Sequence, residues 1–517
     1  MKKLLLPVLL ASLVVPMASS AQRNRQAPRK APVSNRDTGA RSQLSNALRL
    51  AQSGQYEAAA NNLFTLSRRS ELAAERPQIK YILGTMLMEL KLYQTAAFQF
   101  VDVIRSKHPK YSKMAIEKLS LAADILGDDT ILNYAISKVN VNDFPASMRD
   151  MLNFRLGEIK LRDRAFASAA DHFSKVGYNS SYYYPALYSK GLAELEANKP
   201  NLAISTFNRM LDSRRRAPVT DTNRVSAQMG LARALYQRQD WDSAIQAYAE
   251  VPRDTLAWHD AVFESSWAML RSARFRSALS NFQTLHSAYY EDFYMPESLL
   301  LRAIVYLYIC KYDEMDKVLN LFERTYGPIR TKIGEFIRTA PDANAYYLEI
   351  EKALSGKTTK RTGNLRLPYI VVKNVSEQGD VKRSLHYLSK IEEERHRLET
   401  SPVFRATPIA QYALKVLNNR TRNTKIAIGD MMKAHLQNMR ADLKDLYEQA
   451  GFIRYEMITG KKDSIKKKIA GRETEQIDDK IDRKFFIENG YEYYPFQGEY
   501  WLDEVGNYHY LGKQSCE

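Results

Sequence analysis

The sequence predicts an all-helical repeat protein. Three observations predict it: a template of small and aromatic residues that returns at intervals in the thirties, prolines placed where a helix tolerates them, and a late seam of apolar residues alternating steps of three and four. The template is clearest in the first units. Ala47 is followed by Gly54, Tyr56, Ala59 and Leu63, and Gly84 by Tyr93, Ala96 and Phe100. It returns as Gly157, Phe166, Ala169 and Phe173, then as Gly191, Pro200, Ala203 and Phe207 with a proline where the aromatic is expected. Ala232, Trp241, Ala244 and Tyr248 follow, then Ser266, Phe275, Ala278 and Phe282, and last Ala303, Tyr312, Met315 and Leu319.

Between the marker alanines the steps are 37 (59 to 96), 73 (to 169), 34, 41, 34 and 37 (to Met315). The long step fits two units if Ala135 marks a degenerate one, which makes about eight. Small residues let antiparallel helices approach closely, and the aromatics fill the seams between units. Pro77, Pro185 and Pro296 fall near the first turn of a first helix, where a missing amide hydrogen does little harm.

This pattern resembles the tetratricopeptide (TPR) repeat, a helix-turn-helix unit of about 34 residues. The match covers roughly residues 44–326. It implies an all-α, right-handed TPR-like superhelical solenoid, followed by a long helical hairpin or coiled coil and a small aromatic-rich C-terminal cap. It also implies protein binding through the first helix of each unit, with Tyr81, Asn153, Glu158, Tyr188, Arg233, Tyr236, Trp267, Arg271 and Tyr308 as the concave-face candidates.

The flanks complete the expected organisation. Residues 1–21 have two early lysines, an apolar run from Leu4 to Val15 and small residues before Gln22, the layout of a cleaved signal peptide. Residues 22–43 carry six Arg or Lys against Asp37 and almost no large apolar residue, so a disordered basic arm is expected. Beyond Tyr326 the template stops. Residues 327–484 should form a helical region with a coiled-coil hairpin, with the stretch around Gly363–Val375 read as a loop or short extended piece. Long helices are expected at about Gly379–Thr400 and Ala406–Thr459, and the seam Leu436, Met439, Leu443, Leu446, Ala450, Ile453 and Met457 on the second should face the first. Residues 485–517 are dense in aromatics and either cap the helices or form a recognition patch.

Chemistry is sought without result. The sequence has no GxGxxG, GxxxxGK[ST], HExxH, GxSxG or CxxC, so no catalytic, cofactor or metal residue is assigned and an enzyme is not expected. His386, Glu393 and His396 are the nearest approach to a ligand set, and on a helix His396 turns away from Glu393. Cys310 reads as a small core residue and Cys516 as exposed, and the sequence leaves open an intermolecular or Cys310–Cys516 disulfide. With a net charge of +17 and a pI near 9.4, an anionic partner is expected, and export argues against nucleic acid. The expected contacts are residues 22–43 and Lys461–Lys468 on an anionic envelope surface, beside other envelope proteins, with no transmembrane span in the mature chain.

The order of an export signal, a basic arm, degenerate repeats and an aromatic tail with YPFQGEYWLDEVGNY resembles envelope TPR components of the adventurous gliding machinery of delta-type bacteria. That resemblance implies a periplasmic or outer-membrane-associated scaffold of a multiprotein motility or envelope complex. An envelope assembly or division factor and an envelope-polymer enzyme acting through residues 327–517 are the alternative readings.

Overall fold

A computed structural model describes residues 35–136, 140–212, 221–355, 365–469 and 500–510. Within them lie twenty α-helices and no strand. The expected signal peptide, residues 22–34 of the arm and most of the aromatic tail lie outside the described residues. The chain divides into two compact units: residues up to Phe144 with Lys382–Ala427, and Pro145–Val381 with Ile428–Glu517. The stretch expected as one superhelix is therefore shared between two bodies.

In the first unit the helices pair as α1 (Asn35–Gln52) with α2 (Tyr56–Leu66), α3 (Arg76–Glu89) with α4 (Tyr93–Arg105), and α5 (Tyr111–Leu126) with α6 (Thr130–Ile136). In the second unit α7 (Ala146–Arg162) pairs with α8 (Phe166–Ser174), α9 (Tyr183–Glu196) with α10 (Pro200–Leu211) and α11 (Asp221–Gln237) with α12 (Trp241–Ala249). The pairs α13 (Ala257–Arg271) with α14 (Phe275–Leu285) and α15 (Pro296–Tyr308) with α16 (Tyr312–Thr339) complete it.

The template explains these pairs. Its aromatic position is the first residue of every second helix it was read in, from Tyr56 to Tyr312. Pro200 fits there because the first helical residue needs no amide donor and a fixed φ favours the helix. The marker alanines Ala59, Ala96, Ala169, Ala203, Ala244 and Ala278 are fully buried, as is Met315. The small residue of the first helix meets the ring four places after the marker: a Cβ on Gly84 would stand 2.6 Å from Phe100, and one on Gly191 2.5 Å from Phe207.

Each turn between the two helices has a left-handed residue five places before the marker: Gly54, Lys91, Arg164, Asn198, Gln239, Ala273 and Cys310. The next amide donates back five residues, from Leu92 to Leu87 at 2.8 Å and from Arg274 to Met269 at 2.8 Å. This is the αL ending that satisfies the last helical carbonyls. In the degenerate unit the left-handed residue is Gly127, and Leu132, not Ala135, is the fully buried marker, with Ile136 four places on. The 73-residue step thus divides as 36 (96 to 132) and 37 (132 to 169).

Four expectations are corrected. Helix α1 begins at Asn35, inside the segment expected to be disordered, because Ala40 finds a buried place and Arg41 pairs with Glu75 at 3.8 Å. Helix α16 runs on to Thr339 through Pro328, burying Tyr326, Ile329, Ile333 and Phe336. It leads to α17 (Ala343–Leu354), capped by Asp342. The β-branched run after Pro368 is helix α18 (Tyr369–Glu377), not a loop or extended piece. Val371, Val372 and Val375 are fully buried, and burial outweighs their strand propensity.

The fourth concerns the seam. Helices α19 (Gly379–Thr400) and α20 (Pro408–Ile469) are joined by a short turn, and Asp380 meets His435 at 3.0 Å. The seam begins at Leu436, where α19 has already ended. Its mate in the second unit is α16: Tyr447 packs on Phe322 at 4.8 Å, and Arg454 reaches Asp316, Asn320 and Glu323. Leu436 and Leu443 are fully buried there and Leu446 is half-buried.

Candidate protein-binding surface

Successive first helices touch in the second unit, α7 with α9, α9 with α11 and α11 with α13, so the candidates on these helices sit on one layer; Tyr308 is on the next first helix, α15. Tyr81 belongs to the first unit. Most of these side chains are committed to packing. Tyr81 is 6% exposed between Phe100 and Tyr111, and burial pushes its hydroxyl up to about 12. Asn153 is buried with its Oδ1 3.2 Å from His172 Nδ1, and burial lowers the His172 pKa. Glu158 receives Arg155 at 2.9 Å.

Tyr188 lies 6.2 Å from Phe207, and Tyr236 meets Trp241 edge-on at 5.0 Å. Arg233 on α11 donates to both carboxylate oxygens of Glu264 on α13, at 2.8 and 2.7 Å, and Tyr248 donates to the same group at 2.9 Å. That bidentate pair raises the Arg233 pKa and ties two first helices together. Tyr81 and Asn153 are thus corrected from surface to packing residues. Each repeat's seam needs bulk on both sides of the small residue, and the candidates adjoin it.

The candidates that keep an open surface are on α13 and α15. Trp267 is partly exposed, Arg271 one turn later is exposed, and Tyr308 is 59% exposed with its ring stacked on Phe275 at 5.3 Å. An aromatic ring held by a neighbour, as Tyr308 is by Phe275, suits a protein interface, because it loses little freedom on contact.

The C-terminal segments dock elsewhere, mainly on second helices. In the first unit Glu394 of α19 accepts from the amides of Gln94 and Thr95 at 2.8 and 2.9 Å and from Thr95 Oγ1, at the start of α4. Tyr387 donates to Gln94 Oε1 at 2.8 Å, and Tyr412 packs on Phe64 of α2. His386 touches the carbonyl of Ile125, at the end of α5. Burial pushes the Glu394 carboxyl up to about 7 even though three donors face it.

In the second unit α20 lies on α16, and residues 500–510 lie on α14 and the start of α13. There Tyr510 donates its amide to Ser280 and Gly506 to Thr284, both at 3.0 Å, and Arg253 reaches Asn507 at 2.7 Å. Val505 is buried, while Trp501 and Leu502 stay exposed. This part of the tail is a turn at residues 502–506 seated along the repeats. Gly506 has φ +89, and a Cβ on it would press on Trp258.

Sequence reasoning passed over Glu394 in favour of its neighbour Glu393, which only pairs with Lys390. A carboxylate amid charged neighbours carries no sign of burial. Cys310, expected in the core, is half-buried, left-handed at φ +57 and disulfide-bonded; Cys516 lies outside the described residues. Among the described residues no group of three His, Cys, Asp or Glu could hold a metal ion, and no helix is long and apolar enough to cross a membrane.

The tetratricopeptide repeat family matches residues 44–112 and 188–257. Among solved structures the chain is similar to a tetratricopeptide repeat protein from Parabacteroides merdae, at 14% identity, over 56% of this chain and 93% of that one, with a TM-score of 0.24. It is similar to a Naa15/Naa10 structure bound to HypK-THB at 12% identity, over 81% of this chain and 64% of that one, with a TM-score of 0.34. A Rap protein complexed with Competence and Sporulation Factor matches at 10% identity, over 76% and 99%, with a TM-score of 0.28. No curated protein matches the sequence.

Proposed function

We propose that this chain of tetratricopeptide repeats is a non-enzymatic scaffold that binds another protein through the first-helix layer of its second unit, at Trp267, Arg271 and Tyr308. The observation that carries the reading is the placement of the chain's own C-terminal segments. Among the described residues, helix α20 and residues 500–510 dock on α16, α14 and the start of α13, while Trp267 stays partly exposed and Arg271 and Tyr308 exposed. A scaffold needs one face consumed by its own architecture and another kept for a partner.

The export-type N-terminus and the basic composition support an envelope setting, in which the partner is a component of a motility or other envelope complex. The test is site-specific photo-cross-linking in the native envelope. A cross-linker at position 267 or 308 should give discrete protein adducts, and one at Leu202, exposed on second helix α10, should not. Equal adducts at all three positions, or none at the first two, would overturn the proposal.

A further inference from the structure

Helix α20 has two faces with different fates beyond residue 450. Its inner face is used: Ile453 and Met457 are buried, a Cβ on Gly460 would stand 2.4 Å from the Tyr312 hydroxyl, and Lys461 pairs with Asp313 at 2.8 Å. Its outer face is apolar and exposed, with none of the described residues packed over it. Phe452 is 72% exposed, Tyr455 67% and Ile458 58%, three large side chains in succession on one side of a helix that is otherwise well packed. Lys462 and Lys466, both exposed, continue that side. At 100° per residue the five side chains fall within about 120°, over roughly 21 Å of helix.

We infer that this face is a membrane-surface site that takes anionic phospholipid, with Phe452, Tyr455 and Ile458 entering the headgroup boundary and Lys462 and Lys466 meeting lipid phosphates. Aromatic and branched apolar side chains beside lysines on one helix face are the composition that lies in an interface plane. Charge complementarity selects the occupant: the whole chain carries +17, and the lysines follow directly on the apolar stripe. Glu448, the acid on the same side one turn earlier, is held by Lys444 at 3.5 Å. Glu456 and Asp463 fall outside the sector.

A second copy of the chain is the rival occupant. Three side chains of this size expose on the order of 400 Å², about half the ~800 Å² per partner that a stable interface needs. The site stands on α20 alone and does not depend on what the repeats bind.

The experiment is vesicle co-flotation of the full chain, comparing the parent with F452S/Y455S/I458S and with K462E/K466E. Vesicles are phosphatidylcholine alone or mixed with phosphatidylglycerol. The parent and both variants share every other segment, so the difference between them is the readout. All five side chains are exposed, and unchanged circular dichroism melts establish that the variants fold. The apolar variant should partition about tenfold or more weakly to the anionic vesicles, and the lysine variant should show a weaker preference for anionic over neutral lipid than the parent. Equal partitioning of parent and variants would overturn the inference. So would a parent dimer in analytical ultracentrifugation that F452S/Y455S/I458S dissociates.

Discussion

Two glycines of α20 should respond in opposite directions to the same substitution. Gly429 lies where α20 crosses the start of α17: a Cβ there would be 1.8 Å from the carbonyl oxygen of Ala343 and 2.6 Å from its carbonyl carbon. Both are backbone atoms, so no side chain can swing away, and the helices must part by about 1.5 Å to restore ordinary contact. Parting them strips packing from Ile428 and Met432, both fully buried. Overpacking of this kind costs about 1–3 kcal/mol, partly offset by the roughly 1 kcal/mol that alanine gains over glycine inside a helix. Gly451 has nothing within 4 Å of a Cβ, so Gly451→Ala should keep the whole propensity gain. Both variants gain the propensity term, so they differ by the cost of opening the crossing, about 2 kcal/mol, or roughly thirtyfold in the local opening constant. Hydrogen exchange read by mass spectrometry on peptides of residues 428–469 measures that constant. Protection in Gly429→Ala equal to or above the parent's would refute the crossing geometry.

Three further outcomes are expected. Ala273→Gly and Gln239→Gly should each stabilise the second unit by about 1 kcal/mol, because both positions are left-handed at φ +56 and +66; a lowered thermal midpoint in either would count against the shared turn. Ala203→Leu should destabilise by about 1–3 kcal/mol, since Ala203 is fully buried against the Phe207 turn, and an unchanged melt would remove it from the seam. Glu394 has a folded pKa raised to about 7 from the ordinary 4.5, so the folded state holds the proton more tightly than the unfolded one. The stability of α19 docking should therefore rise as pH falls from about 8 to about 6. Exchange protection over residues 382–400 should follow that slope in the parent and lose it in Glu394→Gln.

What was legible in the sequence was whatever repeats. Seven aromatic or proline positions became the first residues of second helices because the same local geometry is needed each time. The turns are not legible because only Gly54, Gly127 and Asn198 announce a left-handed backbone by residue type; Lys91, Arg164, Gln239, Ala273 and Cys310 adopt it under the constraint of two packed helices. Residue type alone points to Ala135 as the marker, whereas Gly127 sets the register three residues earlier, at Leu132. Helix α18 and the true mate of the α20 seam depend on contacts far apart along the chain, and no local pattern encodes them. The candidate surface was legible as a layer of first helices. Which residues stay open on it depends on seam packing, and Tyr81 and Asn153 were lost to that.

The central claim is that the first-helix side chains Trp267, Arg271 and Tyr308 hold a protein partner. Its most direct test is quantitative affinity capture from a native cell extract with the parent chain, with W267A/R271A/Y308A, and with L202A/L321A. The last pair are exposed residues of second helices, so that variant is a control for truncating exposed side chains away from the first-helix layer. The account predicts a discrete set of proteins retained by the parent and the L202A/L321A variant and depleted at least about tenfold by W267A/R271A/Y308A, as interface anchors of this kind require. The same set retained equally by all three proteins would contradict it.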